Sequence, residues 1–205
     1  MPISICVPTP GTMPWQFVAS ALNLQVPAGS EWHIVASASV YHAREVMVRS
    51  ALESNHDYVF FLDSDMLVQP DILPRLMEHD VDIVSGMAFK RAMPYSPCFY
   101  EQCEYNDGNI NVEPYRSWES GQLMEVAGVG MACTLIKTDV FRSMNPPLFL
   151  PMHEEIAEDL AFCIRAREAG YKIYVDTNIN AGHLSQCVID ESISRAVIEQ
   201  ENHTK

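Results

Sequence analysis

Two aspartates, Asp63 and Asp65, are the side chains in this sequence with the clearest capacity for chemistry. They directly follow Tyr58–Leu62, five consecutive apolar residues. Such a run of aromatic and aliphatic residues predicts a strand covered on both faces, and the carboxyl ends of these strands open into the ligand crevice of α/β proteins. On an extended chain, residues spaced i, i+2 point to the same side, where two carboxylates repel each other unless a cation lies between them. We therefore expect a hard divalent metal, with a diphosphate at its remaining positions.

The same three residues, Asp63-Ser64-Asp65, also have an ordinary structural explanation. Aspartate and serine side chains bond to nearby backbone groups, so this triplet is favourable in a simple turn. A three-residue motif does not distinguish a metal site from a turn, and both interpretations stay open at this point.

Four further polar residues lie at predicted element ends. Arg44 lies in the first turn of a predicted helix, where the dipole disfavours a cation, so it indicates either a nearby anion or a solvated arginine. Glu158 and Asp159 open another helix, where the dipole favours acids and would lower the pKa of Asp159; a capping role and a catalytic role are both open. His183 follows the last strand, where a histidine is structural or a ligand.

Bulk composition limits the classes of partner. The chain has 205 residues, long enough to bury roughly 70% of its unfolded surface, and carries 13 Lys+Arg against 27 Asp+Glu, a net charge of −14. Such a surface repels nucleic acid and anionic lipid over most of its area. An anionic substrate would need a local positive site, such as a metal, an arginine or helix N-termini.

The six cysteines do not form a metal or redox motif, because no two have the C-x-x-C spacing. We interpret them as reduced, mostly apolar side chains. The sequence has no signal-peptide pattern and no apolar run of about 18 residues, so we expect a cytoplasmic protein without a membrane segment. The cysteines are Cys6, Cys98, Cys103, Cys133, Cys163 and Cys187.

The elements that must position these side chains alternate between strand and helix. This βαβ order predicts an α/β fold with a mostly parallel central sheet flanked by helices, in a single Rossmann-like domain over residues 1–205. Predicted strands cover 3–7, 33–36, 58–62, 82–87, 133–136 and 171–175, and predicted helices cover 12–22 with Thr12 as cap, 41–53, 70–78, 138–141 with Thr138 as cap, 158–169 and 192–200.

The alternation breaks between residues 90 and 125, which we predict to be a small antiparallel insertion that shapes the substrate side. Asn106-Asp107-Gly108-Asn109 is a hairpin signal. Trp118 in this insertion could stack on a sugar or pack on the protein surface. Gly128 and Gly130 follow, where the backbone turns or approaches a ligand closely.

The order of these segments resembles the nucleotide-sugar glycosyltransferases of the GT-A fold, especially those of family 2, over almost the whole chain. Phe61-Leu62-Asp63-Ser64-Asp65 matches the family's D-x-D motif after an aromatic and aliphatic strand. The other matching segments are Val7-Pro8-Thr9, Ala43-Arg44, Asp82–Arg91, Glu125–Phe141, Glu158–Asp176 and Gly182-His183.

The resemblance implies specific roles. Asp65 and His183 would bind Mn²⁺ or Mg²⁺, and Asp63 would hold ribose or a metal-bound water. Asp159 would be the catalytic base of an inverting reaction, with Glu158 beside it to bind the acceptor. Ser37 and Ser39 stand where a family member carries an acid for uracil. The implied donor is a UDP-sugar in contact with Pro8, Thr9, Arg44, Asp63 and Gly130.

Two other classes of protein stay open on the residues alone. A nucleotidyltransferase acting on sugar phosphates would use a similar sheet, but Pro8-Thr9-Pro10-Gly11 lacks the basic residue of its usual loop. A non-catalytic module that binds nucleotide sugars or glycans would not need Asp159. The acceptor could be a glycan, a protein, a small molecule or a modified nucleic-acid base, and the oligomeric state is open.

Overall fold

The computed structural model describes residues 1–106 and 108–185. Its chain alternates between strands and helices up to residue 87 and then passes through a series of short strands. The helices are α1 (Trp15–Leu22), α2 (Val40–Glu53), α3 (Ile72–Glu78), α4 (Thr138–Ser143) and α5 (Glu158–Glu168). The strands are β1 (Ile3–Thr9), β2 (Glu31–Ala36), β3 (Tyr58–Leu62), β4 (Met66–Leu67), β5 (Ile83–Met87), β6 (Phe99–Asn106), β7 (Asn109–Pro114), β8 (Leu123–Val126), β9 (Gly128–Val129), β10 (Cys133–Lys137), β11 (Ile173–Asn180) and β12 (Gly182–His183).

The central sheet has seven strands in the order β2-β1-β3-β10-β5-β11-β8. Strands β2, β1, β3, β5 and β11 run in one direction, and β10 and β8 run against them. The predicted mostly parallel α/β fold is therefore confirmed. Because parallel strands share one edge for their carboxyl ends, the loops after β1, β2, β3 and β5 meet at that edge.

Two apolar cores cover the two faces of this sheet. Successive residues of a strand point to opposite faces; Phe61 packs into the core beneath α2, α4 and α5, and its neighbour Phe60 packs into the core beneath α1 and α3. The continuous apolar run of β3 is explained by this double coverage, since every residue of the strand is buried. The helices thus fix β3, and with it the position of Asp63 directly after the strand.

The predicted insertion forms a small antiparallel sheet in the order β7-β6-β9. Its hairpin joins Asn106 to Asn109 as the sequence predicts, with Asp107 outside the described residues. Trp118 packs against Phe89 and Phe99, with ring centroids 5.9 and 5.0 Å apart. Those contacts favour the packing interpretation of this tryptophan over sugar stacking.

Both predicted threonine caps are wrong. Helix α1 begins after Pro14 without a side-chain cap, and Thr12 instead accepts a hydrogen bond from Thr9 Oγ1 at its carbonyl. Thr138 is the first residue of α4, but its hydroxyl donates to the carbonyls of His56 and Asp57. For Thr138, a contact with the distant segment before β3 replaces the local cap.

The cysteine prediction holds for the part of the chain that the structure describes. Cys6, Cys98, Cys103, Cys133 and Cys163 are all free thiols. Burial raises the pKa of the Cys133 thiol to about 12 and that of Cys103 to about 11, so these groups stay protonated. Cys187 and the predicted helix at 192–200 lie outside the described residues. Across residues 1–106 and 108–185, every helix is too short or too polar to span a lipid bilayer.

Candidate active site

A cleft of about 590 Å³ opens at the carboxyl edge of the central sheet. The end of β1 supplies one wall with Pro8 and Thr9, and the chain after β2 supplies Ser37 and Ala38. Thr9 shapes this wall, because its hydroxyl donates to the carbonyl of Thr12 and accepts from the N–H of Gly11. Asp63, Asp65, Arg44, Glu158 and His183 line the same cleft, so residues from distant parts of the sequence meet here.

The two aspartates of the D-x-D motif lie in a turn between β3 and β4. The N–H of Met66 donates to the carbonyl of Asp63 at 3.1 Å, which closes the turn. The prediction that an extended chain places both carboxylates on the same side is therefore wrong in its geometry. Each carboxylate has different partners; the turn is therefore present, and the metal site stays a prediction.

Asp63 is fixed by Arg44, which reaches it from α2. Arg44 Nη2 donates to Asp63 Oδ1 at 3.0 Å, and Arg44 Nε lies 3.5 Å from Glu158 Oε1. The guanidinium is only 2% exposed and lies over the ring of Phe61. The solvated interpretation of Arg44 is thus wrong, and the anions beside it belong to the protein. Burial alone would lower the pKa of Arg44, but the carboxylates of Asp63, Glu158 and Asp159 outweigh it and raise the pKa.

Asp65 faces His183, which a short antiparallel pair brings into the site. Gly182 pairs with Leu67 and His183 with Met66. His183 Nε2 lies 3.2 Å from Asp65 Oδ2, and Nδ1–H donates to the carbonyl of Phe89 at 2.8 Å. A carbonyl only accepts, so Nδ1 keeps its proton and Nε2 faces the carboxylate. The Asp65 hydrogen bond raises the pKa of His183 despite burial. Burial would raise the pKa of Asp65, but His183 and Arg91 together lower it.

Arg91 is a site residue for which the sequence gives no specific role. It follows β5, is 64% exposed, and donates from Nη1 to Asp65 Oδ2 at 2.7 Å. The same Asp65–Arg91 pair borders a second hollow lined by Pro14 and Gln16. The adjacent basic residues Lys90 and Arg91 are the available sequence signal. Arg91 is therefore a largely solvated cation beside the Asp65 carboxylate.

Asp159 lies in the first turn of α5, where its Oδ1 accepts from the N–H of Leu160 at 2.8 Å. Burial, reinforced by the Glu158 carboxylate, raises the pKa of Asp159 to about 6, although the Leu160 N–H and Arg44 act against this rise. The expectation of a lowered pKa is therefore wrong, because burial outweighs the helix terminus. Asp159 keeps partial exposure, and a carboxylate with this pKa is a suitable proton acceptor near neutral pH.

Gly130 lies beneath this carboxylate. Its N–H donates to the carbonyl of Cys98 at 2.7 Å. A Cβ at Gly130 would lie 3.2 Å from Cys98 Cβ and 3.6 Å from Asp159 Oδ2. The absence of a side chain therefore allows the segment just before β6 to approach the loop before β10 closely, whereas the distance to Asp159 is an ordinary contact.

The chemistry of Asp65 and His183 suits a divalent transition metal. His183 donates from Nδ1–H to a backbone carbonyl, and metal-binding histidines are commonly oriented by such a bond. A site with one carboxylate and one imidazole ligand suits Mn²⁺. The potential ligand atoms of Asp63, Asp65 and His183 do not all lie within 4.8 Å of each other. Among the described residues, that criterion is met only by Glu31, His33 and His56.

Comparison with known proteins supports the fold. No protein-family model and no curated protein sequence matches the chain. The structure is similar to A197 from STIV, with a TM-score of 0.63 and 21% identity over 93% of this chain and 87% of that one. It is also similar to residues 1–349 of S. aureus TarS in complex with UDP-GlcNAc, with a TM-score of 0.55 and 14% identity over 95% of this chain. The chain spans 61% of that TarS chain.

Proposed function

We propose that this protein is a metal-dependent GT-A glycosyltransferase that moves a sugar from a nucleoside diphosphate, in particular a UDP-sugar, to an acceptor hydroxyl. The observation that carries the proposal is the meeting of Asp63, Asp65, His183 and Glu158 around one cleft at the carboxyl edge of the sheet, with Asp159 next to Glu158. The fold likeness to a protein solved with UDP-GlcNAc adds support. Residues 1–205 would form one catalytic domain, with the 90–125 insertion on the acceptor side.

In this proposal the nucleotide lies between the end of β1 and the start of α2. Pro8 and Thr9 would contact the base and ribose, and Asp63 would bind ribose or a metal-bound water. Ser39 Oγ is buried without a hydrogen-bond partner among the described residues, and a local movement would let it reach a base edge. Arg91 is exposed enough to turn from Asp65 toward a diphosphate.

Asp65 and His183 would hold the metal, Mn²⁺ or Mg²⁺. When bound, such an ion supplies Lewis acidity that neutralises the charge growing on the leaving diphosphate. Arg44 orients Asp63, because it is buried against that carboxylate. Arg44 itself would position Asp63 and Glu158, with only a small exposed area left for the donor.

Asp159 would act as the base of an inverting transfer. The bond from the anomeric carbon to the diphosphate oxygen breaks, the acceptor oxygen bonds to that carbon, and Asp159 takes the acceptor proton. A pKa of about 6 leaves the carboxylate ionised at neutral pH and makes it a stronger base than a free aspartate. Glu158, 3.5 Å from Arg44, would contact the acceptor.

The test is a panel of nucleotide sugars with and without Mn²⁺, in which release of nucleoside diphosphate and donor binding by calorimetry are measured. We expect one donor to bind in a metal-dependent manner, and Asp65→Asn to abolish that binding. Asp57→Asn is the matched control, because Asp57 is an exposed aspartate just before the same strand. Equal donor affinity in wild type and Asp65→Asn with Mn²⁺ present would refute the metal assignment. Release of pyrophosphate from a nucleoside triphosphate would indicate a nucleotidyltransferase.

A further inference from the structure

A second group of metal-ligating side chains lies at the far end of the sheet from the cleft. Glu31 and His33 belong to the edge strand β2, and His56 precedes β3. One ligand atom from each of the three lies within 4.8 Å of the others. This group and the cleft lie at opposite ends of the neighbouring strand β1. The Ser4 end of β1 pairs beside Glu31, and its Thr9 end reaches the cleft wall.

His56 is oriented in the manner of a metal ligand. Its Nδ1 lies 2.7 Å from Ser4 Oγ, and both residues are buried. When Nδ1–H donates to the hydroxyl, the lone pair is on Nε2, which is the free nitrogen. Metal-bound histidines almost always use such a partner on the second ring nitrogen to fix the tautomer.

One ring nitrogen of His33 is buried and lacks a hydrogen-bond partner within the described part of the chain. Its Nε2 is buried and makes no hydrogen bond with any described residue. The nearest acid oxygen, Glu31 Oε2, is 3.8 Å away, which is too far for a hydrogen bond. Buried polar atoms rarely lack a partner, and a bound water or ion is one of the recognised explanations.

Glu31 completes the set and opens it to solvent. Its Oε2 accepts from Ser54 Oγ at 3.2 Å, and Ser54 is the C-cap of α2. The C-terminal end of a helix favours a nearby cation. The Glu31 side chain is 55% exposed, so an ion can enter from the surface.

We propose that Glu31, His33 and His56 form a zinc site, with water as the fourth ligand, that ties edge strand β2 to the segment before β3. Two imidazoles and one carboxylate are a known zinc set, whereas Mg²⁺ and Ca²⁺ prefer oxygen ligands throughout. Zinc bonds of about 2.0–2.1 Å place tetrahedral ligands about 3.3 Å apart, so the 3.8 Å separation of His33 and Glu31 needs only a small contraction. This site is separate from the proposed transferase chemistry and does not depend on it.

The experiment measures zinc binding by competition with a chromophoric chelator. The reference protein is the full chain with Asp65→Asn and His183→Gln, which removes zinc binding in the cleft. We expect this reference to bind one zinc per chain and to melt at a higher temperature with zinc than without it. Adding His33→Gln should abolish binding, and adding Glu31→Gln should weaken it at least about 10-fold.

Glu53→Gln is the matched control, because Glu53 is an exposed acid at the end of α2; zinc affinity should be unchanged there. Glu31 is exposed, so Glu31→Gln keeps the test valid even if His33→Gln fails to fold. X-ray absorption of the zinc-loaded reference should show imidazole scattering with nitrogen and oxygen ligands. Absence of zinc binding by the folded reference, or equal affinity in reference and Glu31→Gln, would overturn the proposal.

Discussion

Each end of helix α2 lies beside a charged side chain that the helix dipole disfavours. The two charges differ in the groups that surround them. Arg44, a cation, lies about one turn from the positive N-terminal end. Glu31, an anion, contacts Ser54 at the negative C-terminal end. At the first end, two carboxylates from β3 and α5 surround the guanidinium. At the second end, Glu31 lies beside two imidazoles and forms no ion pair with a lysine or arginine of the described chain.

The difference concerns how the charge at each end is balanced: Asp63 and Glu158 neutralise the Arg44 guanidinium, although its Nε and Nη1 make no hydrogen bond with the described residues. The Arg44 network is an internal ion-pair cluster, and its consequence is that Asp63 is held rigidly at the cleft. The Glu31 group has an unpartnered His33 nitrogen, so it lacks one positive partner. We infer that the first end positions groups for chemistry and that the second end takes up an ion from solution.

The largest expected effect concerns Asp159, the proposed base, near the Arg44 end of α2. Asp159→Asn should lower turnover by roughly 10²–10⁴-fold, because the acceptor proton loses its base. Wild-type turnover should rise with pH with a midpoint near 6, since the carboxylate must be ionised to accept the proton. The measurement is kcat against pH beside donor affinity, which should stay near wild type. Near-normal turnover in Asp159→Asn would indicate another base or a retaining reaction, and NMR of the product anomer distinguishes these.

Removing the buried cation should cost the most stability. Arg44→Met leaves Asp63 and Glu158 without their common partner, and we expect a loss of about 2–4 kcal/mol in the free energy of unfolding. Arg49→Met is the matched control on the same helix, because Arg49 is exposed and should change stability by less than about 0.5 kcal/mol. Urea unfolding of both variants gives the comparison. Equal stabilities would mean that the Arg44 network contributes little net free energy.

A smaller effect should appear in the stability of Asp159→Asn. The folded pKa of about 6 lies above the ordinary value of 3.8, so the charged carboxylate is disfavoured by folding. Wild-type stability is therefore lost as pH rises from about 4 to about 6. At pH 8 the melting temperature of the variant should be roughly 2–4 °C above that of wild type. In a protein of this size, that shift corresponds to about 1 kcal/mol in the free energy of unfolding. Calorimetry should show the difference vanish near pH 4, and a difference independent of pH would contradict the burial of this charge.

The smallest effect belongs to the other end of α2. Ser54→Ala removes the hydroxyl that orients Glu31, so zinc affinity should fall by up to about 10-fold without loss of the fold. Ser50→Ala, one turn earlier on α2, is the control and should keep wild-type affinity. Chelator competition measures both. A Ser54→Ala affinity equal to that of Ser50→Ala would remove Ser54 from the proposed site.

Much of the architecture follows from local patterns. The apolar run Tyr58–Leu62 and the alternating segments before it predict the parallel part of the sheet, and the Asn-Asp-Gly-Asn sequence predicts the hairpin. These signals work because burial on both faces and tight turns constrain residue type directly. The cap at Thr138 fails because a distant carbonyl, that of His56, takes its hydroxyl, and the cap at Thr12 fails because α1 begins only after Pro14.

The residue types of the candidate site can be predicted from the sequence, but the contacts between those residues cannot. Asp65 and His183 meet through a pairing of only two residues per strand, too short to leave a pattern. The pKa of Asp159 depends on burial by other segments, which a helix-terminus rule does not contain. The i, i+2 spacing of Glu31 and His33 is visible in the sequence, but His56 joins them only through the registers of β1 with β2 and β3.

The position of β10 has a consequence for how the protein is made on the ribosome. Within the described sheet, β10 alone joins the group β2-β1-β3 to the group β5-β11-β8, and the N–H of Asp63 is bonded to Ala132, just before it. A nascent chain that ends before residue 132 therefore has the β2-β1-β3 group with an open β3 edge, and its β5 and β8 lack their sheet partners because β10 and β11 are not yet made. His183 emerges about fifty residues later still, so the ability to bind a donor should arise in one late step of translation.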